Sequence, residues 1–534
     1  MPMRSILRLW FLTGCLVGLP GPTAPRAADQ PQWGQRYSRN MISDETGLPD
    51  SFDPQTGKNV KWSVPLGSQC YATPVVAGGR VLIGTNNDEP RDPRHRGDRG
   101  VLLCLNEADG SLAWQLVVPK LSEDIFFDWP QAGICSPPTV EGERVYTLTN
   151  RDEIVCLDLH GMANGNDGPF RDEGRHAAPP EQPALEVGPI DADILWLLDL
   201  RTAAGVRPHD SSHCSVLLDG PYLYVNTSNG LTSKHDGVDK PEAPSLVVVD
   251  KATGQLLARE REGISQRIFH CTWSSPALGE VNGRRSIFFA GGDGVCYGFD
   301  PLPLTERAVL PNPQPAPAPD GVQLPDAAVE SLRRVWRFDC DPTAPKENIH
   351  SYIRNRKVSP SNIKSMPVFH EGRIFVTVGG DIWWGKHEAW LQCIDATKLG
   401  DTTGSGPLWS YPLDRHCCST PAICDGLVYV ADCGGKVHCV DVRTGLPVWV
   451  HDAGSEIWAS TLVADGKVYI GTRKGDFWVL AAGRELRVLS SIRLDAPVHS
   501  TAVAANGTLF VGTMTRLYAL QQGAQGTSAA KPAK

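Results

Sequence analysis

The chain has 534 residues, a formal net charge of -9 and a pI near 5.9. Its 51 Lys and Arg are scattered among 60 Asp and Glu, so no basic footprint for nucleic acid exists and that class of partner is excluded. With 53 Gly and 43 Pro the composition suits many short strands joined by turns.

In chain order, residues 1–30 read as an export signal. Arg4 and Arg8 give a positive start, Leu9 to Leu19 is an apolar run of 11, and a Pro/Ala-rich stretch follows to Ala27-Ala28. That run is too short for a permanent membrane-spanning helix. Leu12-Thr13-Gly14-Cys15 resembles a bacterial lipobox, and membrane association is expected only if Cys15 is lipidated. The expected location is outside the cytoplasm, in the periplasm or cell envelope.

From residue 56 onward one unit recurs. Its clearest copy, Cys418 to Trp449, reads as four short strands: Thr420–Ile423, Leu427–Ala431, Val437–Asp441 and Pro447–Val450, separated by Asp425-Gly426, Cys433-Gly434-Gly435 and Thr444-Gly445. The glycine of the first turn marks eight copies, at Gly79, Gly142, Gly220, Gly283, Gly372, Gly426, Gly466 and Gly507, the last three spaced by 40 and 41 residues. A period near 40 with four strands per repeat predicts an all-β chain folded as an eight-bladed β-propeller of four-stranded antiparallel blades. The eighth copy ends at Leu520 without a fourth strand, while Thr56 to Trp62 is a fourth-strand sequence without a blade. The amino-terminal strand is therefore expected to close the ring and remove its open edge. The propeller would span 31–520 as one domain, with 521–534 a disordered tail.

The pattern G-x-V-Y-V-x-x-x-x-G-x-V-x-C/A-L-D-x-x-T-G-x-x-x-W resembles the repeat of the PQQ-like, or quinoprotein alcohol dehydrogenase-like, β-propellers, a superfamily that also includes BamB. The resemblance implies the ring and leaves two activities open. One is a PQQ-dependent dehydrogenase oxidising an alcohol or sugar, with calcium beside the quinone. The other is a BamB-like binding platform without cofactor, presenting loops to protein, peptide or glycan, and this is the reading preferred. Adjacent cysteines such as Cys417-Cys418 form a vicinal disulfide against the cofactor in the dehydrogenases this chain resembles. No calcium-ligand motif, Gly-x-Ser-x-Gly, His-Glu-x-x-His or Cys-x-x-Cys is present.

Cys104, Cys156, Cys393 and Cys439 share one third-strand position, so they are expected to be separate small buried residues. Blade topology puts the insertions Asn86–Arg99, Lys120–Ala132, Leu231–Pro244, Cys340–Lys364 and Gly379–Ala389 on one face, and Gly161–Ala192 and Pro301–Arg333 on the other. The first face also carries the entrances to the innermost strands. His213, Cys214, His270, Cys271, Trp273, His416, Cys417, Cys418, Trp458 and His499 lie there, with Trp383 and Trp384 on an overhanging loop. They are expected to ring an axial funnel, either as packing residues or as a ligand site; His and Cys suit zinc or copper.

Overall fold

The computed structural model describes residues 28–304 and 329–526. Eight sheets follow one another, each a blade of at least four strands. Blade 6 shows the unit: Ala422–Cys424 innermost, then Leu427–Ala431, Lys436–Asp441 and Pro447–Asp452, each antiparallel to the last. Every one of the eight marker glycines has a positive φ, the left-handed conformation the first turn requires.

Closure is by the amino-terminal strand. Lys58–Pro65 pairs antiparallel with Arg516–Gln525, with Trp62 opposite Ala519. That last strand runs to Gln525, past the boundary expected at 520, because the closing strand supplies partners that far. Residues 1–27 of the export segment expected at 1–30 lie outside the described residues, but Ala28 to Gln30 belong to the fold: the Ala28 amide donates to Glu45 and Gln30 bridges Val76. Among the described residues, no helix is long and apolar enough to cross a membrane.

Five blades lock to the next through a fourth-strand tryptophan. The indole N–H of Trp62 donates to Glu107 O of blade 1 at 2.9 Å, Trp114 to Leu159 O at 2.8 Å, Trp196 to Lys251 O at 3.1 Å, Trp409 to Val442 O at 3.1 Å and Trp449 to Gly483 O at 2.8 Å. Each ring lands near the next blade's Thr-Gly turn or its equivalent: a Cβ on Gly445 would sit 2.6 Å from the Trp409 ring. The residue opposite the tryptophan must also be small. Cys104, Cys156, Cys393 and Cys439 pair with Trp114, Trp196, Trp409 and Trp449, all four thiols are fully buried, and burial pushes each up to about 12.

Residues 28–45, which the sequence reading divided between the export signal and the start of the propeller, close the channel. This segment bonds to the inner strands all the way round, through Gln30 to Val76, Pro31 to Val140, Tyr37 to Leu278, Ser38 to Phe369, Asn40 to Ile423, Met41 to Val463 and Ser43 to Ala504. Its centre is Arg39, fully buried, whose guanidinium donates to Pro276 O, Trp33 O, Ser215 Oγ and Ser215 O. The propeller has a floor.

One insertion departs from its expected face. Gly161–Ala192 climbs the outer edge of blade 1, bridging Gln115 through Asp191, and meets the Asn86–Arg99 loop at an Arg94–Asp191 ion pair of 3.1 Å. The pairing draws that loop outward, so it does not overhang the funnel.

Candidate functional site

The residue four positions before each inner strand has the same place in every blade. These eight residues are Tyr71, Cys135, His213, Trp273, Lys364, Cys418, Trp458 and His499, and all of them line one cavity on the axis. Beneath that ring, hydroxyls and amides two residues further on join blade to blade: Ser215 N to Ser275 Oγ, Met366 N to Thr420 Oγ1, Thr420 N to Ser460 Oγ, Ser460 N to Thr501 Oγ1 and Thr501 N to Thr73 Oγ1. The girdle fixes the height at which the ring side chains point inward.

The cavity is a cup of about 360 Å³ with Trp33 of the amino-terminal segment among its lining residues. Its wall includes Phe126, Trp129 and His235 from the Lys120–Ala132 and Leu231–Pro244 insertions and Trp383 and Trp384 from Gly379–Ala389. The aromatic rings contact one another: His213 stacks on Trp273 at 4.5 Å, and Trp383 meets Trp273 at 5.7 Å and Trp458 at 5.5 Å. Arg473 lies over Trp458 at 4.5 Å and Lys364 over Trp273 at 4.6 Å, both within cation–π range.

Under one side of the cup lies a buried charged cluster. Lys364 Nζ is 2.9 Å from Asp381 Oδ2 and 2.8 Å from Cys271 Sγ. The same Asp381 oxygen receives His270 Nδ1 at 3.0 Å and Asn362 Nδ2 at 3.0 Å, while its Oδ1 accepts the amides of Trp383 and Trp384. Burial alone would raise this carboxyl, but Lys364 and His270 hold it well below the usual range. Burial lowers the His270 imidazole and Asp381 more than restores it, to about 10. Asp210, with the left-handed backbone continuing into Ser211, brings its carboxylate to 3.5 Å from His270 Nε2. Burial lowers His213 to about 4 and His499 to about 3, leaving both neutral at pH 7.

Eight of the residues expected at the mouth line the cup: His213, His270, Trp273, Trp383, Trp384, Cys418, Trp458 and His499. Four do not. Cys214 and Cys417 turn into the blade cores, Cys271 lies behind the wall against Lys364, and His416 is buried with neither ring nitrogen hydrogen-bonded. Among the described residues every cysteine is a free thiol, including Cys417 and Cys418, whose side chains diverge: Cys417 Sγ donates to Ala431 O at 2.8 Å while Cys418 faces the cup. The implied vicinal disulfide is therefore not formed. Sequence reasoning missed Tyr71 and Lys364, which counting back from each inner strand would have found, and also His209 and Asp210 on the approach to blade 3 and His235 on the Leu231–Pro244 insertion, where no repeat marks them.

The chain matches the PQQ-repeat family described as outer membrane protein assembly factor BamB over residues 50–261, 328–486 and 387–523. A curated relative, the quinohemoprotein alcohol dehydrogenase of Comamonas testosteroni, is 31% identical over 117 residues, which is 18% of this chain and only 15% of the relative's length. Among solved structures, a europium-containing methanol dehydrogenase superposes with a TM-score of 0.57 at 10% identity, covering 93% of this chain and 98% of that one. BamB from Moraxella catarrhalis gives 0.48 at 11% identity, covering 87% and 98%. The methanol dehydrogenase likeness bears on fold alone, and the family follows from the repeat match: the chain belongs to the PQQ-repeat β-propellers described as outer membrane protein assembly factor BamB.

Proposed function

We propose that this chain is an exported binding propeller of the periplasm or cell envelope, a rigid ring whose cup receives an aromatic or apolar segment of a protein or peptide partner. The observation that carries the reading is the cup itself: a closed-floored cavity of about 360 Å³ among whose lining residues are six tryptophans, its place fixed by the equivalent position in all eight blades. Tryptophan contributes large contact area at low entropic cost, which is why it dominates binding hot spots. The family's description as an outer-membrane assembly factor favours a polypeptide over a glycan.

The dehydrogenase alternative asks the lining to hold calcium beside a quinone. Calcium takes about six to eight oxygen ligands. Both oxygens of Asp381 are already engaged, by His270, Lys364 and Asn362 on one side and two backbone amides on the other. Asp210 is then the carboxylate left on the cup wall, and the Lys364 ammonium is close by. This donor set does not fit a calcium-bound quinone.

The test uses peptide and oligosaccharide arrays probed with the purified chain and its Trp383→Ala and Trp458→Ala variants, alongside reconstitution with PQQ and Ca²⁺. Peptide binding that both variants lose, with no dye reduction from short alcohols or aldoses, is the expected result. A bound quinone spectrum with turnover would overturn the reading.

A further inference from the structure

Three histidines at the cup wall, His209, His235 and His270, each offer a ligand atom within 4.8 Å of the other two, and all three are buried. They come from three different segments: the approach to blade 3, the Leu231–Pro244 insertion and the approach to blade 4. What the other ring nitrogen does is the same in each. His209 Nδ1 bonds Leu231 O at 3.0 Å, His235 Nδ1 bonds Ser233 O at 3.2 Å and His270 Nδ1 bonds Asp381 Oδ2 at 3.0 Å. An oxygen acceptor on Nδ1–H fixes the tautomer, orients the ring and leaves the lone pair on Nε2, which is the outer-shell arrangement of histidines that bind metal.

A second observation points to a missing ligand. His209 is 0% exposed, yet its Nε2 has no hydrogen-bond partner. An orphaned buried nitrogen is costly, so such groups ask for an explanation. The Asp210 carboxylate stands beside the cluster, with Oδ1 3.9 Å from His209 Nε2 and Oδ2 3.5 Å from His270 Nε2.

We propose that His209, His235 and His270 bind a divalent zinc-type metal ion through Nε2, with Asp210 beside it as a fourth donor, on the wall of the cup. Three imidazoles and one carboxylate are a borderline nitrogen/oxygen set suited to zinc, and unlike a calcium site they need few oxygens. Tetrahedral ligand nitrogens about 2.0–2.1 Å from zinc stand about 3.4 Å apart, so ligand atoms that already lie within 4.8 Å of one another have only a short way to close. The metal replaces any proton on His270 Nε2, and the indole of Trp384, whose Nε1 lies 3.2 Å from that nitrogen, turns aside. The site stands on its own donors and does not depend on the partner assigned to the cup.

The experiment takes the full folded chain, stripped with a chelator, dialysed against Zn²⁺ and assayed for bound metal, with Co²⁺ as a spectroscopic probe. Expected are one zinc per chain, intense visible Co²⁺ bands of a four-coordinate site, and a change in tryptophan fluorescence on loading. His235→Ala and His209→Gln should each weaken binding by about 100-fold or more, an effect at least as large as losing an outer-shell partner. His370→Ala, half-buried at the first turn of blade 5 and outside the cup, should bind as wild type. If His209→Gln does not fold, His235→Ala decides alone, because its loop lies outside the blades. Wild type that retains no zinc, or zinc bound equally by His235→Ala, overturns the site.

Discussion

Replacing Trp62 tests how the ring is closed. Its indole is 8% exposed, donates to Glu107 O at 2.9 Å, meets Phe510 at 5.9 Å and packs against the Gly110 turn, where a Cβ would come within 2.8 Å of the ring. Truncating a buried tryptophan to alanine costs about 3–5 kcal/mol. Trp62→Phe keeps most of the packing and removes one hydrogen bond, worth about 1 kcal/mol, and Lys61 Nζ, 3.3 Å from the same carbonyl, leaves that oxygen a partner. Trp449→Ala is the matched control, equally buried and docked on Gly483 O, but in a blade built from contiguous chain. Denaturant unfolding should show similar losses for both alanine variants. Amide exchange should separate them: Trp62→Ala alone should deprotect Leu517 to Leu520 and self-associate, because its strand returns from the far end of the chain to cover an edge. Identical exchange at those residues in the two variants, both monomeric, would refute closure by this strand.

Thiol chemistry should divide the cysteines. The Cys418 thiol faces the cup and is lowered to about 5 by its Cys433 hydrogen bond, with His416 and Lys364 adding, so its alkylation should be fast and flat from pH 6 to 9; Cys104, Cys156, Cys393 and Cys439, at about 12, should stay unlabelled until unfolding, as peptide mapping will read. Burial raises Asp152 to about 8 in the fold, whereas an unfolded Asp titrates near about 4. Between those values the native state holds the proton and the unfolded state does not, so stability falls as pH rises through the window. Asp152→Asn, which tolerates the φ of 61° at this site, should gain on wild type from pH 4 to 8 in denaturant midpoints; parallel curves would contradict the assignment. Gly445→Ala combines a φ of 69° with a Cβ 2.6 Å from the Trp409 ring and should cost about 2–4 kcal/mol in the same measurement.

The ring was legible because its causes are local and repeated. A turn glycine, a third-strand small residue and a fourth-strand tryptophan recur at fixed spacing, and each answers a contact with the adjacent blade: Gly445 lies under Trp409, and Cys439 lies opposite Trp449. Even the closing strand carried the motif, since Trp62 must dock like its counterparts. Much of the cup was legible for the same reason, as inner-strand entrances converge on the axis whatever the loops do.

What lies outside the repeat needed tertiary structure. Nothing periodic marks Arg39, because its partners are carbonyls and a hydroxyl drawn from segments far apart in the chain. The inward or outward turn of neighbouring residues was likewise undecided: Cys418 reaches the cup and Cys417 the core because successive residues at a strand entrance point to opposite sides. His209, Asp210 and His235 meet His270 because the irregular approach to blade 3 and the Leu231–Pro244 insertion come together at the funnel. Repetition wrote the scaffold into the sequence at every blade, whereas the candidate site arises from single, unrepeated contacts between distant segments, and those exist only once the ring has closed.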